Sequence, residues 1–149
     1  TNKHILFEFD QTKVVSRLLE GEFYKIDQML TNDYETKFSI NKRDFASSID
    51  RASLFIKESD KKPIILNIEN SSMYMKIDST IGSMNEELEI NKEGKDIKIG
   101  FNPKFLMDAL RAIDDENVDV YMINPKSPCY IRDDENSYIY LILPVSIVA

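Results

Sequence analysis

Cysteine, histidine and glycine are scarce in this chain, and each scarcity excludes a class of function. The 149 residues contain one cysteine, Cys129, one histidine, His4, and four glycines. A single cysteine cannot form an internal disulfide, and with a single histidine it cannot assemble a recurrent zinc ligand set. The sequence also lacks the glycine clusters of phosphate-binding and dinucleotide-binding loops. We therefore predict no metal, no cofactor and no catalytic site, so that the protein is not an enzyme.

Long apolar runs and an excess of positive charge are missing as well. No run approaches the roughly 20 apolar residues that a membrane helix needs, and residues 1–10 lack the basic and apolar regions of a signal peptide. We expect no membrane association and a cytoplasmic location. A net charge of -7 argues against a surface that coats nucleic acid, although it leaves room for a local basic face.

A hydrophobic content of 42% predicts a folded protein with one main core. Residues 5–9 and 14–19 are short β-forming runs around a polar stretch, which predicts a hairpin. Residues 22–33 show no clear period and are typical of a connecting segment, so we place the domain boundary near Thr31, with domains at 1–31 and 32–149. Because the chain begins with Thr1 rather than Met, we expect it to be cut from a longer protein.

Two segments of the second domain predict a strand that runs into a capped helix. Residues 34–40 alternate between apolar and polar side chains, and Asn41 is placed to cap the helix that follows. The predicted buried stripe of this helix consists of Phe45, Ile49, Ala52 and Ile56. Residues 95–101 alternate in the same way, and there Asn102 caps a helix with Pro103 at its first position. The predicted buried stripe of this second helix consists of Leu106, Ala109, Leu110 and Ile113.

These two segments match in order and spacing. Lys37–Phe45 (KFSINKRDF) and Lys98–Leu106 (KIGFNPKFL) are each followed by three predicted strands. The capping asparagines lie at matching places, 61 positions apart (102 minus 41). The sequence therefore predicts an α+β fold built from a duplicated βαβββ unit, with chance repetition as the open alternative because strands and helices often alternate.

Further stretches carry a resemblance to a known family. Ile99–Asp115 (IGFNPKFLMDALRAIDD), Val118–Tyr121 and the terminal Tyr138–Val145 (YIYLILPV) resemble the end of the bacterial DNA polymerase III beta subunit, the beta sliding clamp. Ser16–Leu30 resembles that family's passage from its middle to its last domain. The resemblance implies the DNA clamp fold, with two helices packed on antiparallel sheets. It also implies that residues 1–31 end a middle domain and that residues 32–149 form the C-terminal clamp domain.

The resemblance implies a function that needs no catalysis. Members of the family form a homodimeric ring around double-stranded DNA, and the replicative DNA polymerase and the clamp loader bind the ring through short linear motifs. The expected function is therefore that of a processivity factor in DNA replication. An alternative from another class stays open, which is a free-standing clamp-like adaptor that binds peptides without encircling DNA. The length of the parent protein would discriminate between the two.

The partner motifs of the family enter a hydrophobic cleft between the last two domains. By resemblance, the cleft residues here are Tyr24, Gln28, Met29, Asn102, Phe105, Leu141, Ile142, Leu143, Pro144 and Val145. For Leu141 and Leu143, an ordinary place in the core fits the sequence equally well. Tyr24 and Ser146 depart from the family's usual proline and arginine, which predicts a different cleft rim.

Two further surfaces follow from the ring. A ring that slides presents scattered basic side chains to DNA, and the candidates on the two helices are Arg43, Arg51, Lys104 and Arg111. The alternative is an ordinary solvated face, because acidic residues dilute both rows. For the subunit interface, the resemblance points to Leu54, Phe55, Glu86, Glu87 and Glu89. Here the alternative is that the acids only protect an edge strand from aggregation.

Overall fold

Residues 1–31 and 32–149 form two separate units of the chain. The computed structural model describes residues 3–57 and 62–147. In the first unit, β1 (His4–Phe9) and β2 (Thr12–Arg17) form the predicted antiparallel hairpin, and Asp10 takes a φ of 51° in its turn. A short helix, α1 (Ile26–Met29), lies in the segment that we predicted as connecting chain.

The second unit repeats one order of elements. The first copy contains β3 (Thr36–Asn41), α2 (Lys42–Ser53), β4 (Ile64–Glu69), β5 (Ser72–Ser79), β6 (Gly82–Glu89) and β7 (Asn91–Gly94). The second copy contains β8 (Ile97–Phe101), α3 (Pro103–Ala112), β9 (Asn117–Met122), β10 (Cys129–Arg132) and β11 (Ile139–Ile142). The predicted α+β fold with a duplicated βαβββ unit is confirmed.

The two copies exchange their first strands. One sheet has the order β11-β10-β9-β3-β7, and the other has the order β6-β5-β4-β8, with antiparallel neighbours in both. Strand β3 therefore lies beside the three consecutive strands of the second copy, and β8 lies beside those of the first copy. Both sheets and both helices contribute to a single buried core, for example through Phe38, Leu66, Ile99 and Val120. The two copies therefore share one core.

Strand β7 was not predicted from the sequence. It has only four residues, none of them apolar in side chain, so it shows no alternation of apolar and polar side chains. It pairs with β3, where Asn91 lies opposite Ser39. The second copy has a reduced counterpart, since Val145 forms an isolated bridge with Gly100 of β8. Ser39 and Gly100 occupy matching places in the repeat, so the duplication extends to the segment that follows each set of three strands.

Helix α2 begins as predicted but ends earlier than its apolar pattern indicated. The Asn41 side chain accepts hydrogen bonds from the amides of Arg43 (3.0 Å) and Asp44 (3.2 Å). At the other end, the Ser53 hydroxyl donates to the carbonyl of Ile49 at 2.8 Å, and the chain tightens into turns whose amides reach back three residues. The prediction that Ile56 lies on the helix was therefore wrong, although Ile56 still packs partly buried against the core.

The two long helices lie side by side and run in opposite directions. The amide of Lys42, at the start of α2, donates to the carbonyl of Glu116, just after α3, at 2.8 Å. The Lys42 ammonium bonds the carbonyl of Ile113, where the negative end of the α3 dipole favours a cation. At the opposite ends, Ser53 of α2 and Pro103 of α3 line one groove. The end of α2 and the start of α3 are thus neighbours across this groove.

The cap of α2 gives a direct test of this architecture. Asn41→Ala should lower the free energy of unfolding by about 1 kcal/mol, because two amides at the helix start lose their acceptor. Asn41→Ser keeps an acceptor at the same place and should retain most of the stability. Urea unfolding followed by circular dichroism measures both, and equal losses in the two variants would contradict the assigned cap.

Candidate functional site

An apolar hollow of the second unit lies between helix α3 and strand β11. It has a volume of about 430 Å³ and is lined by Phe105, Asp108, Ala109, Tyr140, Leu141, Ile142 and Leu143. Phe105 is 54% exposed and Leu143 is 63% exposed. Two large apolar side chains, one from α3 and one from the end of β11, therefore face solvent at the same hollow. Such a groove can take up an apolar side chain of another molecule. We call it the α3–β11 groove.

Local geometry explains why these side chains stay exposed. The buried stripe of α3 contains Leu106 and Leu110, and Phe105 precedes the stripe by one position, which turns its ring away from the core. Strand β11 lies at the edge of its sheet and therefore leaves one side open. Ile142 is buried, whereas Leu141 is only half-buried and Leu143 is exposed. Leu141 and Leu143 therefore lie outside the buried core, and their part in a peptide cleft stays a prediction.

Other predicted cleft residues of the second unit lie outside the α3–β11 groove. The Asn102 side chain accepts from the amide of Lys104 at 3.0 Å and lines a different groove. Pro144 lines a separate pocket, and Val145 pairs with Gly100 at the edge of β8. Asp108, Ala109 and Tyr140 also line the groove and were not predicted from the sequence. For Asp108 and Ala109 the signal was the spacing, because residues three and four positions after Phe105 share its side of a helix.

The remaining predicted cleft residues, Tyr24, Gln28 and Met29, belong to the first unit. Gln28 and Met29 lie on α1, and Tyr24 precedes it. Tyr24 and Met29 are both exposed. Their part in a peptide cleft stays a prediction.

A second groove, of about 460 Å³, lies between the end of α2 and the start of α3, and we call it the α2–α3 groove. The DNA-facing candidates Lys104 and Arg111 line it, and their role stays a prediction. Lys57 and Lys62 line it too and were missed, because they follow α2 rather than lie on it. The acidic residues Asp50 and Asp108 are also at this groove. Arg43 is exposed at the other end of α2.

Arg51, the fourth DNA-facing candidate, is bound to a carboxylate of its own chain. Its Nε donates to Oε2 of Glu86 at 3.2 Å, and its Nη2 bonds Oε1 of the same residue. The buried hydroxyl of Ser48 donates to Glu86 Oε2 at 3.0 Å. The Arg51 guanidinium and, to a smaller extent, the Ser48 hydroxyl hold the pKa of Glu86 below its usual range. A contact thus joins one predicted DNA-facing residue to one predicted interface residue.

The predicted interface residues lie on or near β6, the edge strand of the four-stranded sheet. Leu54 is 76% exposed, whereas the Phe55 ring packs partly on the core and comes within 3.0 Å of where a side chain on Gly82 would begin. Strand β6 is an edge strand and presents Glu87 and Glu89 to solvent. These features fit an interface, and the role itself stays a prediction.

The described residues offer little to catalysis. Within residues 3–57 and 62–147, no group of three or more His, Cys, Asp or Glu side chains is placed to hold a metal ion. Burial raises the pKa of the Cys129 thiol to about 12, which leaves it protonated and unreactive near neutral pH. None of the helices in these ranges has the length and apolar content needed to cross a membrane.

Comparison with known proteins places these surfaces in a family context. A family model described as the DNA polymerase III beta subunit, C-terminal domain, matches residues 27–146. The beta sliding clamps of Staphylococcus epidermidis and Staphylococcus aureus are 37% and 35% identical to the chain over 147 residues. Each alignment covers 97% of the chain but 39% of the relative, so the chain spans about two fifths of the relatives' length.

Solved structures agree with the sequence comparison. A DNA polymerase III beta subunit from Eubacterium rectale is 64% identical with a TM-score of 0.92, over 97% of this chain and 39% of that one. The DNA polymerase III beta subunit of Thermotoga maritima is 26% identical with a TM-score of 0.90, over 98% of this chain and 40% of that one. The predicted DNA clamp fold is confirmed.

The contact between Arg51 and Glu86 predicts a measurable pH dependence. Because the pKa of Glu86 is lowered in the folded state, the contact stabilises the fold above the pKa of the unfolded chain and loses this effect as pH falls through the folded value. Arg51→Met should raise the pKa of Glu86 toward that of an ordinary glutamate, as read from carboxyl ¹³C shifts during titration. Arg43→Met removes the same charge from the same helix and should leave Glu86 unchanged. An unaltered Glu86 titration in Arg51→Met would contradict the assigned contact.

Proposed function

This chain belongs to the DNA polymerase III beta subunit family, the beta sliding clamps, and on that premise we propose that it is part of a clamp that keeps replication enzymes on DNA. The proposed part is the C-terminal clamp domain, residues 32–149, with the end of the middle domain, residues 1–31. In this role the chain performs no chemical step. It provides a surface for DNA, a groove for partner peptides and an edge for a second subunit, in the cytoplasm.

The α3–β11 groove is the observation that carries this proposal. A partner peptide binds such a groove by inserting an aromatic or leucine side chain, which removes apolar surface of both molecules from water. Phe105 and Leu143 supply exposed apolar walls, and Ile142 supplies a buried floor. The proposed partners are the replicative DNA polymerase and the clamp loader, through short linear motifs. Tyr24, Gln28 and Met29 are proposed to add to the peptide site as the resemblance implies.

The α2–α3 groove supports the proposed contact with double-stranded DNA. A clamp must attract phosphates without reading bases, and exposed cations on neighbouring helices meet that need. Lys104 and Arg111 lie at this groove, and Lys57 and Lys62 increase its positive charge. Arg51 is assigned a smaller part, because its guanidinium is engaged by Glu86.

The open edge of β6 supports the proposed homodimeric ring. An edge strand with exposed glutamates resists nonspecific pairing and favours a partner edge that carries basic residues. Leu54, at the end of α2 in the same copy, adds an exposed apolar side chain. Under this proposal, ring closure needs the rest of the clamp, because the β6 edge supplies only one of the two surfaces that meet between subunits.

The peptide groove can be tested with two exposed leucines. Leu143→Ala should weaken binding of a fluorescent peptide that contains a clamp-binding motif by about tenfold, because the groove loses an apolar wall. Leu54→Ala removes the same side chain from a position that is 76% exposed and should leave peptide affinity unchanged. Both variants should unfold within roughly 0.5 kcal/mol of the parent chain. Fluorescence anisotropy that shows equal affinity for all three chains would argue against this groove.

Contact with DNA can be tested through its dependence on salt. Lys104→Gln should reduce the slope of log affinity against log salt by about 1 for a short duplex, because one phosphate contact is lost. Lys76→Gln removes an exposed lysine from β5, away from the helices, and should leave the slope unchanged. A flat salt dependence in the parent chain would show that no phosphate is bound.

A further inference from the structure

Beyond the α3–β11 groove, the segment that ends the second copy lines another pocket. This pocket has a volume of about 570 Å³ and is lined by Lys98, Pro125, Lys126, Pro144, Ser146 and Ile147. Its walls combine three apolar side chains with two lysines, and none of its lining residues is acidic. We call it the Lys98–Lys126 pocket. It is a locally positive site on a chain whose net charge is -7.

Two fixed contacts hold the walls of this pocket in place. The Asn124 side chain accepts hydrogen bonds from the amides of Lys126 and Ser127, both at 2.9 Å, which sets the turn that presents Lys126. The amide of Val145 donates to the carbonyl of Gly100 at 2.8 Å, which holds the terminal segment against β8. A Cβ atom on Gly100 would lie 3.0 Å from the Ile147 side chain and 3.1 Å from the Val145 carbonyl oxygen, so glycine favours this close approach. The pocket is preformed rather than assembled by a ligand.

Two acidic residues near this region are already engaged. Glu35 and Asp96 line an adjoining hollow together with Lys98. Glu35 pairs with Lys95 at 2.6 Å, and Asp96 pairs with Lys92 at 2.7 Å. Neither Lys98 nor Lys126 has a carboxylate within 4.0 Å in the part of the chain that the structure describes. Two ammonium groups therefore flank one apolar-walled pocket without a carboxylate of their own.

We propose that Lys98 and Lys126 bind a carboxylate side chain, Asp or Glu, of the same extended partner peptide that inserts its apolar anchor into the α3–β11 groove. This inference rests on the proposed function and adds a charge preference to it. The two hollows are lined by consecutive stretches of one segment, residues 140–143 and residues 144–147. Under this proposal an extended peptide follows this segment, and four residues of extended chain span roughly 13 Å.

The charge pattern favours a peptide over a nucleic acid at this pocket. Duplex DNA carries a long row of phosphates, which a protein binds with many cations. This pocket instead has two lysines beside the apolar side chains of Pro144 and Ile147. A carboxylate next to apolar peptide residues matches that combination, since its charge meets the ammonium groups while its neighbours cover the prolines. The acidic residue should lie three to five positions from the apolar anchor.

The test uses synthetic peptides that contain a Leu-Phe anchor and differ only by Asp or Asn at one position, scanned from three to five residues on either side of the anchor. At low ionic strength, the chain should bind the best Asp peptide about two to five times more tightly than its Asn counterpart, and molar salt should abolish this difference. The double variant Lys98→Gln with Lys126→Gln should bind both peptides equally. Lys76→Gln, an exposed lysine without a role at either hollow, should keep the preference.

Each other outcome identifies what is wrong. If the Asn peptides bind but no Asp position improves affinity, the charge preference is wrong and the peptide groove survives. If neither peptide binds at millimolar concentration, the proposed peptide groove fails and this inference fails with it. If the double variant instead lowers the salt slope for a DNA duplex as Lys104→Gln is expected to do, the pocket is a phosphate contact and the peptide assignment is overturned.

Discussion

The exchange of first strands between the two copies is the constraint on which the rest of the second unit depends. Because β3 pairs with β9 and β8 pairs with β4, each sheet is built from both copies. The hydrogen bonds of these central strands cannot form until residues far apart in the chain meet. Once they form, α2 and α3 are brought side by side over one core, and the segment after each set of three strands is brought to an edge.

In each copy a notch lies between the helix and the edge strand that it faces. The two notches occupy matching places in the repeat but contain different side chains. In the first copy, α2 faces the edge strand β6, and the notch is closed by Glu86 with its bonds from Ser48 and Arg51. In the second copy, α3 faces the edge strand β11, and Ala109 stands where the repeat has Ser48. The small apolar side chain cannot bond a carboxylate, so this notch stays open and apolar. One backbone plan thus yields a charged edge in the first copy and an open apolar groove in the second.

Acidic and basic side chains are concentrated on different surfaces of the protein, so the net charge of the chain does not describe any one surface. The net charge of -7 is expressed in the acidic β6 edge and in the turn that follows α3, whereas cations gather at the α2–α3 groove and at the Lys98–Lys126 pocket. Over distances longer than about 8–10 Å these charges are screened at physiological salt. Local composition therefore decides what each surface attracts.

The sequence by itself determined the duplicated unit, the two capped helices and the family, because hydrophobic period, capping asparagines and motif spacing are local properties of the chain. It also placed Phe105 beside the buried stripe of its helix, since that position can be counted, but it left open whether Leu143 lies in the core or at the surface. Only the tertiary structure decided that Arg51 is tied to Glu86, that β7 exists, and that Asn102 and Pro144 line hollows other than the α3–β11 groove. These features depend on which side chains meet after the copies exchange strands, and no local pattern in the chain encodes such a meeting.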